Sequence, residues 1–186
     1  GILFVQICKA SQYPGETICI DNDNILAARE AVNHLYKLGH RKIGYVGTDL
    51  KRIFSADRKA GYMLALAENN VPFQENYYLE MPQVPKNKTN RLLRFLSRED
   101  RPTAVLVSDD ILAMVLEKTA FELHLQIPED LSIISFNNSL FSKLSSPQLT
   151  SIDINSRQLG IEAASQMINH IENPGLLATK IIVPHF

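Results

Sequence analysis

The chain has 186 residues, 45% of them apolar and 21% charged, with a formal net charge of −1. That is enough apolar material for a packed core in one domain, or in one large and one small lobe, and it excludes a disordered chain. The 19 Lys and Arg are scattered among 20 Asp and Glu, so no basic face is laid out for a nucleic-acid backbone. No run approaches the ~18 apolar residues of a membrane span, and no secretory leader is legible. A disulfide between Cys8 and Cys19 is open to the sequence, but two lone cysteines read better as free thiols in a reducing cytosol. With no CxxC pair and no His pair at ligand spacing, neither a metal nor a cofactor is expected.

In chain order, residues 3–7 read as a buried strand, and their abrupt start points to a chain that begins inside a longer protein. A turn-rich loop follows at 11–15, then a strand at 17–20 ending in Asp21-Asn22-Asp23-Asn24. One of these polar residues should cap the helix predicted over 25–38, whose stripe is Ile25, Ala28, Val32, Leu35 and Leu38. Gly39 closes it. His40 reads as structural, since no nucleophile or carboxylate is fixed near it. A strand at 42–46 leads to a helix from about Ser55 to Asn70, in which Gly61 should allow close approach to a sheet. Arg58 then falls in the first turn, where a cation opposes the helix dipole. Ligand contact explains that placement, and an ion pair with Asp57 or Asp109 is the alternative. A short strand at 77–80, a loop at 81–88 and a helix at 90–96 come next.

Residues 101–155 are the most informative stretch. The apolar, β-branched run 104–107 suits a strand covered on both faces, and it ends in Ser108-Asp109-Asp110. Ser108 or Asp109 is a natural cap for a helix on Leu112, Val115, Leu116, Thr119 and Leu123, which Pro128 stops. The next strand, 131–136, ends in Asn137-Asn138-Ser139. This is a β-α-β unit with polar groups at the carboxyl ends of both strands, where open α/β sheets bind ligands. A crossover leads to an amphipathic helix at 158–171, on which Met167 reads as core filler, and a last strand at 180–183. The alternation predicts parallel sheets in three layers.

These residues also carry a resemblance. Pro102-Thr103-Ala104, Asp109-Asp110, Ala113, Ile127-Pro128-Glu129-Asp130-Leu131-Ser132, Phe136-Asn137-Asn138 and Pro147-Gln148-Leu149-Thr150 stand in the order and at the spacing of the effector-binding core of the LacI/GalR family of bacterial transcriptional regulators. Leu38-Gly39-His40-Arg41-Lys42-Ile43 and the segment from Ser55 to Tyr62 resemble that family as well. The phrases IDNDN, VSDD and FNNS most resemble maltose-operon repressors of Gram-positive bacteria.

The resemblance implies an α/β, periplasmic-binding-protein-like fold, with a nearly complete C-terminal lobe and a fragment of the N-terminal lobe. Residues 1–40 and about 150–171 would be the N-terminal remnant and crossover. Residues 41–149 and 172–186 would be the effector-binding and dimerisation lobe, and the DNA-binding helix-turn-helix would lie outside the chain. The effector would be a sugar or sugar phosphate held by Arg58, Asp109 and Asn137. Asp110, Asn22 and Asn138 would serve as further contacts or as structural residues.

Two departures bear on the ligand. Asn137 stands where the family has aspartate, and Asp109 where it has asparagine, so donor and acceptor roles differ from the usual pattern. Ile154 replaces a glutamine that several members use. The implied function is a cytoplasmic, homodimeric, allosteric sugar sensor acting on operator DNA only through the absent headpiece. A freestanding periplasmic-type sugar-binding protein is the alternative. Catalysis is not expected, because no nucleophile set has supporting motif context.

Overall fold

The computed structural model describes residues 4–9, 17–81, 88–176 and 180–186. The loop expected at 11–15 and residues 82–87 of the loop expected at 81–88 lie outside them. In chain order the elements are β1 (Val5–Ile7), β2 (Ile18–Asp21), α1 (Asn24–Lys37), β3 (Ile43–Gly47), α2 (Ile53–Glu68), β4 (Tyr78–Glu80), α3 (Lys88–Leu96), β5 (Ala104–Val107), α4 (Asp110–Glu122), β6 (Ser132–Phe136), α5 (Leu140–Leu144), β7 (Thr150–Ile152), α6 (Ser156–Glu172) and β8 (Lys180–Ile182). They form two compact units: Asn24–Ile152, and Gly1–Asp23 with Asp153–Phe186.

The larger unit is built on a five-stranded, all-parallel sheet in the order β4-β3-β5-β6-β7. Ala104–Val107 is buried at every residue, as a central strand covered on both faces must be. Ala28, Val32 and Leu35 of α1 and Tyr62, Ala65 and Leu66 of α2 share one core with Tyr45, Leu106 and Phe136. Leu92 and Phe95 of α3 and Leu112, Leu116 and Ala120 of α4 share the other with Val46, Val105 and Ile133. The result is the expected three-layer α/β sandwich. The chain leaves β3 for β4 on one side and returns to β5 on the other, so the strand order reverses between β3 and β5. A crevice opens at the carboxyl ends of such a pair.

Three helix ends share one device. Gly39, Asn70 and His124 have φ of 99°, 54° and 58°, and the next amide donates back to Leu35, Leu66 or Ala120, the Schellman closure. One of these ends differs from the sequence expectation. α4 ends at Glu122 rather than at Pro128, because His124 reverses the backbone first. α2 ends at Glu68 and the chain turns at Asn70, where the sequence placed the end.

Gly61 faces a helix, not the sheet. A Cβ there would lie 2.2 Å from the Ile25 carbonyl oxygen and 2.8 Å from the Ala28 Cβ. That close approach is why α1 belongs to the larger unit, whereas the sequence assigned it to the N-terminal remnant. The crossover also holds two elements that the pattern did not show, α5 and β7, each too short to carry a period.

The smaller unit is a three-stranded parallel sheet, β1-β2-β8. β8 sits here because Ile20 pairs with Ile181, not with the lobe to which the sequence assigned residues 172–186. Leu159 of α6 packs with Ile18, Ile20 and Val183. Ala163 also packs against this small core, whereas Ile168 and Ile171 are exposed and Met167, expected to fill the core, is half-buried. Cys8 and Cys19 form no disulfide.

Candidate functional site

The crevice between β3 and β5 is occupied by Arg58. α2 begins at Ile53, so Arg58 lies in its second turn rather than its first, and the expected conflict with the helix dipole is weaker. The side chain is 5% exposed. Its Nε donates to Asn24 Oδ1 at 2.9 Å and its Nη1 to the Ser108 carbonyl at 2.6 Å. The guanidinium carbon lies 4.0 Å from the centroid of Phe136 and 5.1 Å from that of Phe54. Two hydrogen bonds and two aromatic faces therefore fix a planar cation at the strand ends.

The two adjacent aspartates have different tasks. Asp109 is half-buried and caps α4, its Oδ1 accepting from the Leu112 amide at 2.8 Å. Asp110 is 2% exposed and saturated. Its Oδ1 accepts from the Ser135 and Ser151 hydroxyls at 2.5 and 2.6 Å. Its Oδ2 accepts from the Ser139 amide and hydroxyl at 2.7 Å each. Asp110 thus ties α4 to β6, to β7 and to the loop after β6, and it makes no carboxylate pair with Asp109.

That loop carries Asn137 and Asn138 in left-handed backbone, with φ of 101° and 44°, a conformation asparagine tolerates better than most residues. The Asn137 amide donates to the Ile152 carbonyl and the Asn138 amide to the Ser151 hydroxyl, each at 2.9 Å. Both residues are half-buried at the end of β6. Asn137 follows Phe136, whose ring Arg58 covers, so Arg58, Asp109 and Asn137 stand on three neighbouring elements at the same end of the sheet.

Asn22 belongs to the smaller unit. It is buried, and its Nδ2 donates to the Ile154 and Val183 carbonyls at 2.9 Å each. It joins β8 to the segment that follows β7. Ile154 itself packs against the small core.

Sequence reasoning missed four contributors. Asn24 is the partner of Arg58, hidden in a run of four polar residues that all looked like caps. Phe54 reads as the end of a loop, and Phe136 as the last residue of a strand and part of the family motif, with no sign that either ring meets Arg58. Tyr45 is fully buried, and its hydroxyl has no hydrogen-bond partner among the described residues. Burial pushes that phenol well above its ordinary value, with Arg58 working against it and Asp109 and Glu80 adding to it. The polar end of Tyr45 therefore lies in the electrostatic field of the crevice. No local pattern marks it, because every residue of β3 is buried.

His40 lies at the opposite, amino end of the strands. Its ring nitrogens are 2.9 Å from Thr103 Oγ1 and 3.1 Å from Ser132 Oγ. It joins the entries to β3, β5 and β6, and burial lowers its pKa. Among the described residues no group of three His, Cys, Asp or Glu could hold a metal, and no helix is long and apolar enough to cross a membrane.

The model of a periplasmic binding protein-like domain matches residues 32–185. The HTH-type transcriptional repressor PurR of Klebsiella pneumoniae is 34% identical over 143 residues, 77% of this chain and 42% of that protein. A putative transcriptional regulator LacI from Bacillus cereus subsp. cytotoxis superposes with a TM-score of 0.90 at 33% identity, over 98% of this chain and 65% of that one. The chain belongs to the LacI/GalR family, as the effector-binding domain of its regulators. The transcription regulator CcpA of Lactococcus lactis has the same fold, with a TM-score of 0.85 at 27% identity over 98% of this chain and 66% of that one. The chain spans about two fifths of the length of the curated relatives it matches.

Proposed function

We propose that this LacI/GalR domain binds a sugar or sugar phosphate at the carboxyl ends of β3, β5 and β6. In the longer regulator, occupancy would govern operator binding made by a headpiece outside this chain. The observation that carries the reading is Arg58: a buried cation, clamped by Asn24 and Ser108 and stacked on Phe136, at the point where strand order reverses. A preorganised planar fork suits adjacent hydroxyls or a phosphate. Asp109 and Asn137 add an acceptor and a mixed donor-acceptor beside it. A putative ribose operon repressor from Burkholderia thailandensis shares the fold at 25% identity, with a TM-score of 0.83, which supports a sugar as the class. Maltose is the first candidate, from the IDNDN, VSDD and FNNS phrases.

A flat heterocyclic effector is the second reading, favoured by the partly exposed ring of Phe54 beside Arg58. As a regulator domain the protein would work in the cytoplasm and would not catalyse a reaction. Two copies would pair through the larger unit, which exposes Ile111, Phe121, Leu140 and Leu144 on α4 and α5.

The test is calorimetric titration of maltose, then a panel of pentoses, hexoses, sugar phosphates and nucleobases, into this chain and into its Arg58→Ala and Asn137→Ala variants. Removing a charged hydrogen-bond donor costs about 1.5–3 kcal/mol, so Arg58→Ala should weaken binding by roughly 10- to 150-fold. Circular dichroism shows whether each variant is folded. Saturable binding that folded Arg58→Ala and Asn137→Ala both retain would place the site elsewhere.

A further inference from the structure

Tyr45, Tyr62 and Tyr78 meet in the core between the larger sheet and the helices α1 and α2. The Tyr45 ring lies 5.4 Å from that of Tyr62 and stacks on that of Tyr78 at 5.9 Å, 6° from parallel. Two of the three hydroxyls have partners. Tyr62 donates to the Ile43 carbonyl at 2.9 Å, at the amino end of β3, and Tyr78 donates to Glu80 Oε2 at 3.3 Å. The Tyr45 hydroxyl oxygen is buried and has no hydrogen-bond partner among the described residues. Gly47 shows where it points. A Cβ on Gly47 would overlap Tyr45 Cε1 and lie 3.2 Å from the hydroxyl. Residues 45 and 47 share one face of β3, so the ring leans along the strand over the glycine. Its oxygen therefore stands beside the last residue of β3.

That is the end of the sheet that holds Arg58. The Ser108 amide donates to the Val46 carbonyl at 2.9 Å, and the Ser108 carbonyl accepts from Arg58 Nη1. Burial holds the Tyr45 phenol above its ordinary range, and Arg58, Asp109 and Glu80 all act on it. It stays protonated at neutral pH and offers a hydrogen as well as lone pairs.

We propose that the Tyr45 hydroxyl is a specificity-determining contact at the floor of the pocket, where it bonds one hydroxyl of the bound sugar. The inference rests on the sugar-pocket reading above and adds a residue that reads the ligand from below the strand ends. A sugar hydroxyl donates and accepts, and so does a phenol, whereas Arg58 only donates. A buried polar group without a partner is destabilising, so the unliganded chain holds this hydroxyl in its less favourable state and the sugar relieves it. A site built in this way rejects the analogue that lacks the matching hydroxyl, because its own group is then left unpaired. The ligand reaches the buried oxygen as the segment 48–52 shifts. That segment leaves β3 beside the hydroxyl, exposes Lys51 and Arg52, and is tied to Glu80 Oε1 by a long bond of 3.3 Å from the Leu50 amide.

The test is calorimetric titration into the wild type, Tyr45→Phe and Tyr62→Phe. The probes are maltose, then the sugars of the same panel, then monodeoxy analogues of whichever sugar saturates the site. Circular dichroism gives the melting temperature of each chain without ligand. Tyr45→Phe keeps the stacked rings, so it should melt no lower than wild type and bind that sugar roughly 5- to 150-fold more weakly. One monodeoxy analogue should lose as much on the wild type and nothing further on Tyr45→Phe, because both changes remove the same bond. Tyr62→Phe loses a satisfied bond at the far end of β3, and it should melt lower but bind as wild type does. Folded Tyr45→Phe with wild-type affinity, while Arg58→Ala weakens binding, overturns the contact and leaves the pocket standing. So do losses that add independently for every analogue. Tyr45→Phe melting as low as Tyr62→Phe would mean that the hydroxyl is already partnered without ligand, and it overturns the inference as well. A wild type that no sugar saturates, or binding that folded Arg58→Ala and Asn137→Ala both retain, overturns the sugar-pocket reading and this inference together.

Discussion

Replacing Asp110 by asparagine tests whether one buried carboxylate holds the strand ends in place. Four donors converge on it: the hydroxyls of Ser135, Ser139 and Ser151, and the Ser139 amide. Asparagine keeps the shape but converts one oxygen into an NH2. If its carbonyl retains Ser135 and Ser151, the NH2 meets Ser139. A serine hydroxyl can turn and accept; the Ser139 N–H cannot. One charge-assisted bond is lost and a donor is left unsatisfied, at about 1–3 kcal/mol, and the surviving bonds lose their charge assistance. The expected total is about 2–4 kcal/mol for Asp110→Asn. For Asp110→Ala, where all four donors lose their acceptor, about 3–5 kcal/mol is expected. Urea unfolding followed by circular dichroism measures both. Asp110→Asn within about 1 kcal/mol of wild type would refute the reasoning, and would mean that the loop after β6 is held by something other than this carboxylate.

Gly61→Val should destabilise the larger unit by more than the helix-propensity gain of about 0.5 kcal/mol over glycine can offset, because its Cβ would meet the Ile25 carbonyl at 2.2 Å. Overpacking of this kind costs about 1–3 kcal/mol, and a melting temperature at or above wild type would count against the helix contact as drawn. The contribution of His40 to stability should fall on mild acidification. Burial lowers the His40 pKa, so the unfolded chain binds the proton first. The contribution of His40 is then complete above about 6.5, the ordinary histidine value, and shrinks as pH drops through that value toward the lowered one. On going from pH 7.5 to 5.5 the urea midpoint should change less favourably in the wild type than in His40→Ala; an identical pH dependence in the variant would exclude a contribution from His40. Glu117, raised to about 7, has the opposite sign and loses its contribution as pH rises through that value.

The order of elements was legible in the sequence because it depends on local chemistry. A four-residue apolar β-branched run at 104–107 suits a buried strand in any context, and the stripe of Ala28, Val32 and Leu35 is a helix face whatever it packs on. Gly39 marks a helix end through its own backbone freedom. The polar ends of the strands were legible too, and the structure places Arg58, Asp109 and Asn137 at one end of one sheet. Motif spacing carried the family, since an ordered set of matches over fifty residues is hard to produce by chance.

Partners across the fold were not legible, because partnership is a property of distance in space and not along the chain. Asp109 and Asp110 are identical neighbours, yet one caps a helix at the surface and the other collects four donors from three other segments. Asn22 and Asn24 lie two residues apart, and they fall in different units with different tasks. Gly61 needed a close neighbour, but only the packed structure shows that the neighbour is α1 and not the sheet. The unsatisfied oxygens of Tyr45 and Glu117 have no sequence signature at all. The sequence determined which elements this chain forms and in what order, because each is dictated by the chemistry of a few adjacent residues. Only the tertiary structure decided which polar groups meet and which are left without partners, because those meetings join residues dozens of positions apart.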